Sequence, residues 1–140
     1  LKSTTLGQRS VGDRVHLEPA ATPQSLLGGH LMQGHVDGVA VVHRVVNEPD
    51  ERRLRFAPPA ELMDYIVDRG AIAVDGVALT IAAVGEDWFE VALIPTTLAE
   101  TMLDALCEGN WVNLETDYIA RTVVNWLRRH GNAVDASARF

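Results

Sequence analysis

The chain has 140 residues, 47% hydrophobic and 22% charged, which is enough to close one hydrophobic core but too short for two large ones. It has 12 Lys and Arg against 19 Asp and Glu, and the net charge of -7 repels a phosphate backbone, which argues against nucleic acid as a partner. A single Cys107 excludes an internal disulfide, no apolar run approaches the ~20 residues of a membrane helix, and no signal-peptide zones open the chain, so a cytoplasmic protein without membrane partners is expected.

The sequence begins at Leu1 rather than Met, inside what reads as a finished pattern, so a piece of a longer chain is expected. In chain order, β-type runs are predicted at residues 11–18, 36–46, 53–56, 71–74, 77–84, 89–94 and 111–115, separated by turns. This rhythm predicts an all-β barrel. Asp75-Gly76 divides two of the runs and is a strong two-residue hairpin signal, because both positions tolerate positive φ.

Two segments break the rhythm. Residues 59–69 open with Pro59 and Glu61, carry Leu62, Ile66 and Val67 at helical spacing and stop at Gly70. Residues 117–130 offer Thr116 or Asp117 as a cap, an apolar stripe of Ile119, Val123, Trp126 and Leu127, basic residues in the last turn and Gly131 as a stop. The stripe fits packing on the chain's own barrel and an oligomer contact equally well.

Thr4, Leu6, Gly12, Val15, Leu17 and Glu18 recur as Thr101, Leu103, Gly109, Val112, Leu114 and Glu115, all 97 residues later. A duplicated barrel unit explains the match. The expected organisation is therefore residues 1–10 as the end of a preceding barrel or a linker, 11–115 as a barrel, 116–131 as a C-terminal helix and 132–140 as a flexible tail.

Three segments carry polar groups where a ligand could be read. In Gly28-Gly29-His30-Leu31-Met32-Gln33-Gly34-His35-Val36-Asp37, Gly29 and Gly34 have phosphate-loop spacing, but His35 and Val36 stand where Lys and a hydroxyl residue are needed. His30 and His35 fall on opposite faces of a regular strand, which disfavours a shared metal, and no metal is expected. What remains is a glycine-framed strand entry with Gln33, His35 and Asp37 alternating along it; a barrel corner with core histidines fits the same pattern. Leu79-Thr80-Ile81 places a hydroxyl between aliphatics just after the Asp75-Gly76 turn, and in Leu93-Ile94-Pro95-Thr96-Thr97 the proline ends a strand beside two hydroxyls.

Taken together, GGH-x-x-x-GH-x-D, VDG-x-x-LT, LIP-x-TL and a terminal VNLE resemble the second barrel of the riboflavin synthases over almost the whole chain. The resemblance implies a six-stranded Greek-key closed barrel with short helices and a C-terminal α-helix, two such barrels in tandem, and homotrimers assembled through that helix. It implies that the barrel binds 6,7-dimethyl-8-ribityllumazine, and that two lumazines, meeting between barrels of neighbouring subunits, exchange a four-carbon unit to give riboflavin and 5-amino-6-ribitylamino-uracil. No cofactor is implied.

Carried onto this chain, the resemblance places the ligand against Gln33, Gly34, His35, Arg69, Ala78, Leu79, Thr80, Ala92, Leu93, Ile94, Pro95, Thr96 and Thr97, with His35, Thr80 and Asp117 assisting the chemistry. Two positions depart from it: Ala78 stands where the family usually has Ser, and Arg69 where it usually has Lys. A non-catalytic lumazine or flavin carrier of the same fold is the alternative.

Overall fold

Asp75 and Gly76 have φ values of 46° and 80°, so both central residues of the turn are left-handed and strand β3 (Ala71–Val74) folds back on β4 (Val77–Val84) through a two-residue hairpin. This computed structural model describes residues 3–26, 28–49 and 51–137. The remaining strands are β1 (Gly38–Asn47), β2 (Arg52–Ala57), β5 (Phe89–Leu93) and β6 (Trp111–Thr116), and all neighbours pair antiparallel in a closed barrel of order β1-β2-β5-β4-β3-β6. Because β5 rather than β3 lies beside β2, the connection is a Greek key, as expected.

Alternation fills the interior. Leu54 and Phe56 on β2, Phe89, Val91 and Leu93 on β5, Ile72 and Val74 on β3 and Val112 and Leu114 on β6 all point inward and are fully buried. Phe56 and Phe89 are cross-strand partners and stack with ring centroids 5.1 Å apart. On the outer face of the same pair, Glu90 lies between Arg53 and Arg55, and Arg55 covers the Trp88 ring at 3.7 Å. Hydrogen bonding to Glu90, then to Glu51, holds the Arg53 guanidinium protonated above its ordinary range.

Several elements differ from the sequence expectations. Residues 11–18 form no strand: the structure leaves them unpaired in a ladder and mostly exposed. The helix predicted over 59–69 is only a 3-10 turn, Ala60–Tyr65, whose N-cap Pro59 supplies no side-chain acceptor. Pro95, read as a strand end, is also the first residue of a short helix α1 (Pro95–Glu100), where its fixed φ and missing N–H are tolerated. The C-terminal helix α2 (Tyr118–Ser137) is capped by Asp117, whose Oδ1 accepts the Ile119 N–H at 2.9 Å, and it continues past Gly131 into the expected tail. Residues 138–140 of that tail lie outside the described residues, as do 1 and 2 of the expected first unit. Among the described residues, no helix is long and apolar enough to cross a membrane.

Candidate ligand-binding site

The ladder between β4 and β5 stops short. It runs from Val84↔Phe89 to Ile81↔Val91, whereas β4 continues to pair with β3 through Thr80, Leu79, Ala78 and Val77. Extending the register places Thr80 opposite Ala92, Leu79 opposite Leu93 and Ala78 opposite Ile94, with no ladder bond between them among the described residues. The two lips of this gap are therefore two of the segments singled out in the sequence.

The direction of the free main-chain groups follows from alternation. Ile81 donates its N–H to Gly70 O at 2.9 Å and accepts from Arg69 N–H at 3.1 Å, so odd-numbered positions of β4 turn their peptide groups toward β3. The N–H and C=O of Ala78 and Thr80 consequently face the gap. That is an open sheet edge of the kind that takes an added strand, or a flat heterocycle presenting donors and acceptors in the same way. Thr80 has an exposed side chain, and Thr96 and Thr97 follow Ile94 and Pro95 into α1.

Arg69 enters this region in an unusual conformation. Its φ of 58° is left-handed, and its N–H to Ile81 O continues the β3–β4 ladder by one residue. It makes no ion pair among the described residues, and it is exposed beside the Ala71↔Thr80 rung.

The glycine-framed run crosses the outside of the barrel. Ala78, Ala73 and Glu115 share one outward row across β4, β3 and β6. Gly29 lies on the Ala78 end, and the Glu115 carboxylate accepts the N–H groups of Gln33 at 2.6 Å and of Gly34 at 3.0 Å. Beyond His35, Asp37 accepts both the N–H and the hydroxyl of Thr116 at 2.8 Å and pairs with Arg121. His35 is thus held from both sides with an exposed ring. On the next rung Thr80, Ala71 and then Asp117, one residue past β6, follow in order, so Thr80 and Asp117 stand two strands apart, roughly 10 Å.

The structure therefore brings Arg69, Ala78, Leu79, Thr80, Ala92, Leu93 and Ile94 to one edge, continued by Pro95, Thr96 and Thr97. It places Gln33, Gly34, His35 and Asp117 beside β6, across β3 from that edge. Two hollows lie elsewhere: cavities of about 640 and 320 Å³ separate the N-terminal segment from the barrel, and Gly34 is the one candidate residue lining either. His35, Thr80 and Thr97 share neither. The open edge carries the stronger chemical argument, because unpaired peptide groups specify a partner and an empty volume does not. Gly29 belongs to the glycine-framed entry singled out in the sequence, whereas sequence reasoning missed the roles of His16, Asn113 and Glu115, the last two appearing only as letters of the VNLE motif and, for Glu115, of the repeat.

The fold is a closed Greek-key barrel, and residues 33–117 match the lumazine binding domain family. The riboflavin synthase of Mycobacterium tuberculosis (strain ATCC 25618 / H37Rv) is 44% identical over 135 residues, covering 94% of this chain and 67% of that protein. That of Chlamydia pneumoniae is 40% identical over 129 residues, covering 92% of this chain and 62% of the relative. The chain belongs to the riboflavin synthase family, an enzyme family.

Among solved structures, LumP complexed with riboflavin superposes with a TM-score of 0.72 at 30% identity, covering 81% of this chain and 62% of that one. LumP complexed with 6,7-dimethyl-8-(1'-D-ribityl) lumazine gives 0.71 at 27% identity, covering 81% and 60%. The higher identity to the synthases favours the enzyme over the carrier reading.

Proposed function

We propose that this chain is the second barrel of a riboflavin synthase and seats one 6,7-dimethyl-8-ribityllumazine at the open β4 edge. The edge itself carries the reading. The peptide groups of Ala78 and Thr80 meet the alternating donors and acceptors of the pteridine, and Thr96 and Thr97 bind ribityl hydroxyls at a net ~0.5 to 1.5 kcal/mol each.

The reaction transfers a four-carbon unit from one lumazine to another, releasing riboflavin and 5-amino-6-ribitylamino-uracil. It needs a proton taken from an acidic ring methyl group and negative charge tolerated on the ring. His35 exchanges that proton, since imidazole is both acid and base near neutral pH, while the Thr80 hydroxyl steadies developing charge and Asp117 orients a neighbouring polar group. A second lumazine must face the first, so the complete site includes another barrel, and the recurrence of residues 4–18 at 101–115 supports a preceding copy whose end lies in residues 1–10.

The exposed stripe of Ile119, Val123, Trp126 and Leu127 on α2 supports a homotrimer assembled through this helix. The lone Cys107 supports a cytoplasmic location. The test is a titration with the lumazine and with riboflavin followed by ligand fluorescence, then assay of riboflavin formation by the full-length protein. Binding with turnover supports the proposal, binding without turnover assigns the carrier role, and no binding removes both.

A further inference from the structure

The internal repeat has a counterpart in three dimensions that the ligand edge does not use. Thr4 Oγ1 accepts the Leu6 N–H at 3.3 Å, and 97 residues later Thr101 Oγ1 accepts the Leu103 N–H at 3.3 Å. Asp13 Oδ2 accepts the Ser10 N–H at 2.8 Å, as Asn110 Oδ1 accepts the Cys107 N–H at 2.9 Å. Gly12 and Gly109 are both left-handed, with φ of 103° and 86°. The two segments fold alike.

They also hold each other reciprocally. The Thr5 N–H donates to Asn113 Oδ1 at 2.7 Å, and the equivalent Met102 N–H donates to His16 Nε2 at 2.8 Å. Thr5 and Met102 are one repeat apart, and so are His16 and Asn113. Asp75 serves both: its Oδ1 accepts from Asn113 N and Nδ2 at 2.8 and 2.9 Å, and its main-chain oxygen lies 2.8 Å from His16 Nδ1. One copy uses an amide side chain in this clasp, and the other an imidazole.

The imidazole fits in only one form. A main-chain N–H can only donate, so Nε2 must present its lone pair to Met102; a carbonyl can only accept, so Nδ1 must carry the hydrogen. A proton added to Nε2 removes the Met102 bond, whereas an asparagine oxygen would keep accepting at any pH near neutral. Met102 directly follows Thr101, whose N–H and hydroxyl bind Thr97 O at 3.1 and 2.7 Å. His16 therefore anchors the far end of α1.

We infer that His16 is a positioning residue for the ligand edge: while its imidazole is neutral it ties the end of α1 to the β3–β4 turn, and its protonation adds to the loss of ligand binding on acidification. The inference rests on the proposed ligand seat. The charged groups around the same hollows are Arg9, Asp13 and Arg14 on the N-terminal segment, Asp75 at the turn, Asp104 after α1 and Glu115 on β6.

The experiment is a riboflavin titration of this chain, followed by flavin fluorescence, at pH about 7.5 and about 5.5, on either side of imidazole titration. It compares the parent with His16→Asn and His16→Ala. The parent should lose affinity about three- to tenfold more on acidification than His16→Asn, and His16→Ala should bind weakly at both values. In the ligand-free parent, ¹⁵N shifts should show the Nδ1–H tautomer of His16 at neutral pH, with the Met102 amide resonance moving as His16 titrates. The same pH profile in His16→Asn, parent-like binding by His16→Ala, or an Nε2–H tautomer would overturn the inference. Absence of riboflavin binding in every variant overturns the ligand seat together with the positioning role, whereas binding with an unaltered pH profile overturns the positioning role alone.

Discussion

Gly29 rests directly on Ala78: a Cβ added to the glycine would stand 2.6 Å from the alanine Cβ, closer than two carbons tolerate. The loop carrying Gln33, Gly34 and His35 can cross β4 there only because neither residue is larger. Gly29→Ala should lift the loop, destabilise the barrel by about 1–3 kcal/mol and weaken lumazine binding. Urea unfolding of Gly29→Ala, Ala78→Gly and the double variant checks this, since Ala78→Gly should restore most of the loss and leave a coupling energy above about 0.5 kcal/mol.

Thr80 and Thr97 contact the ligand directly in the proposed seat, and Thr80 is exposed. Thr80→Ala and Thr97→Ala should each lower ribityllumazine affinity about two- to tenfold, as expected for a lost hydrogen bond, with midpoint changes in urea within about 0.5 kcal/mol. Fluorescence titration paired with denaturation separates the two effects. A stability loss that accounts for the affinity loss would argue that these residues hold the strand end instead.

The Glu115 carboxylate holds Gln33 and Gly34 by their main-chain N–H groups, at the surface and open to solvent. Glu115→Ala should cost only about 1 kcal/mol of stability but release the loop, which limited proteolysis between residues 28 and 37 would detect. Glu115→Gln keeps one acceptor and should cleave at an intermediate rate.

Phe56 and Phe89 stack in the centre of the barrel with no exposed surface. Phe56→Ala should cost about 3–5 kcal/mol by transfer and cavity terms, a large share of a small domain's stability. Loss of the cooperative unfolding transition would be the extreme form of the same outcome.

How far the sequence disclosed all this depends on the range of the interaction concerned. The β3–β4 hairpin was legible because Asp75 and Gly76 supply left-handed backbone locally, and the inward rows of β2 and β5 because alternation needs only near neighbours. Residues 11–18 carry the pattern of β6 but stay out of the sheet: β6 itself occupies the place between β1 and β3, and pairing is decided by partners far away in the chain. Pro95 ends a strand and is equally good at starting a helix, and its letter alone does not tell the two apart. Ala78, Thr80 and Ile94 were named from motifs, yet the gap between them is a matter of register, which no single segment encodes. The roles of Glu115, a letter of the repeat and of VNLE, and of His16 are hidden in the sequence because their partners are main-chain N–H groups, which every sequence position shares.

Amide chemical-shift mapping of the ¹⁵N-labelled chain on addition of ribityllumazine tests the open edge most directly. The largest shifts are expected at Ala78 and Thr80 and at residues 92–97, with smaller ones at Gln33 to His35. Shifts confined to Thr5, Arg9, Arg14 and Met102, around the hollows under the N-terminal segment, would contradict it.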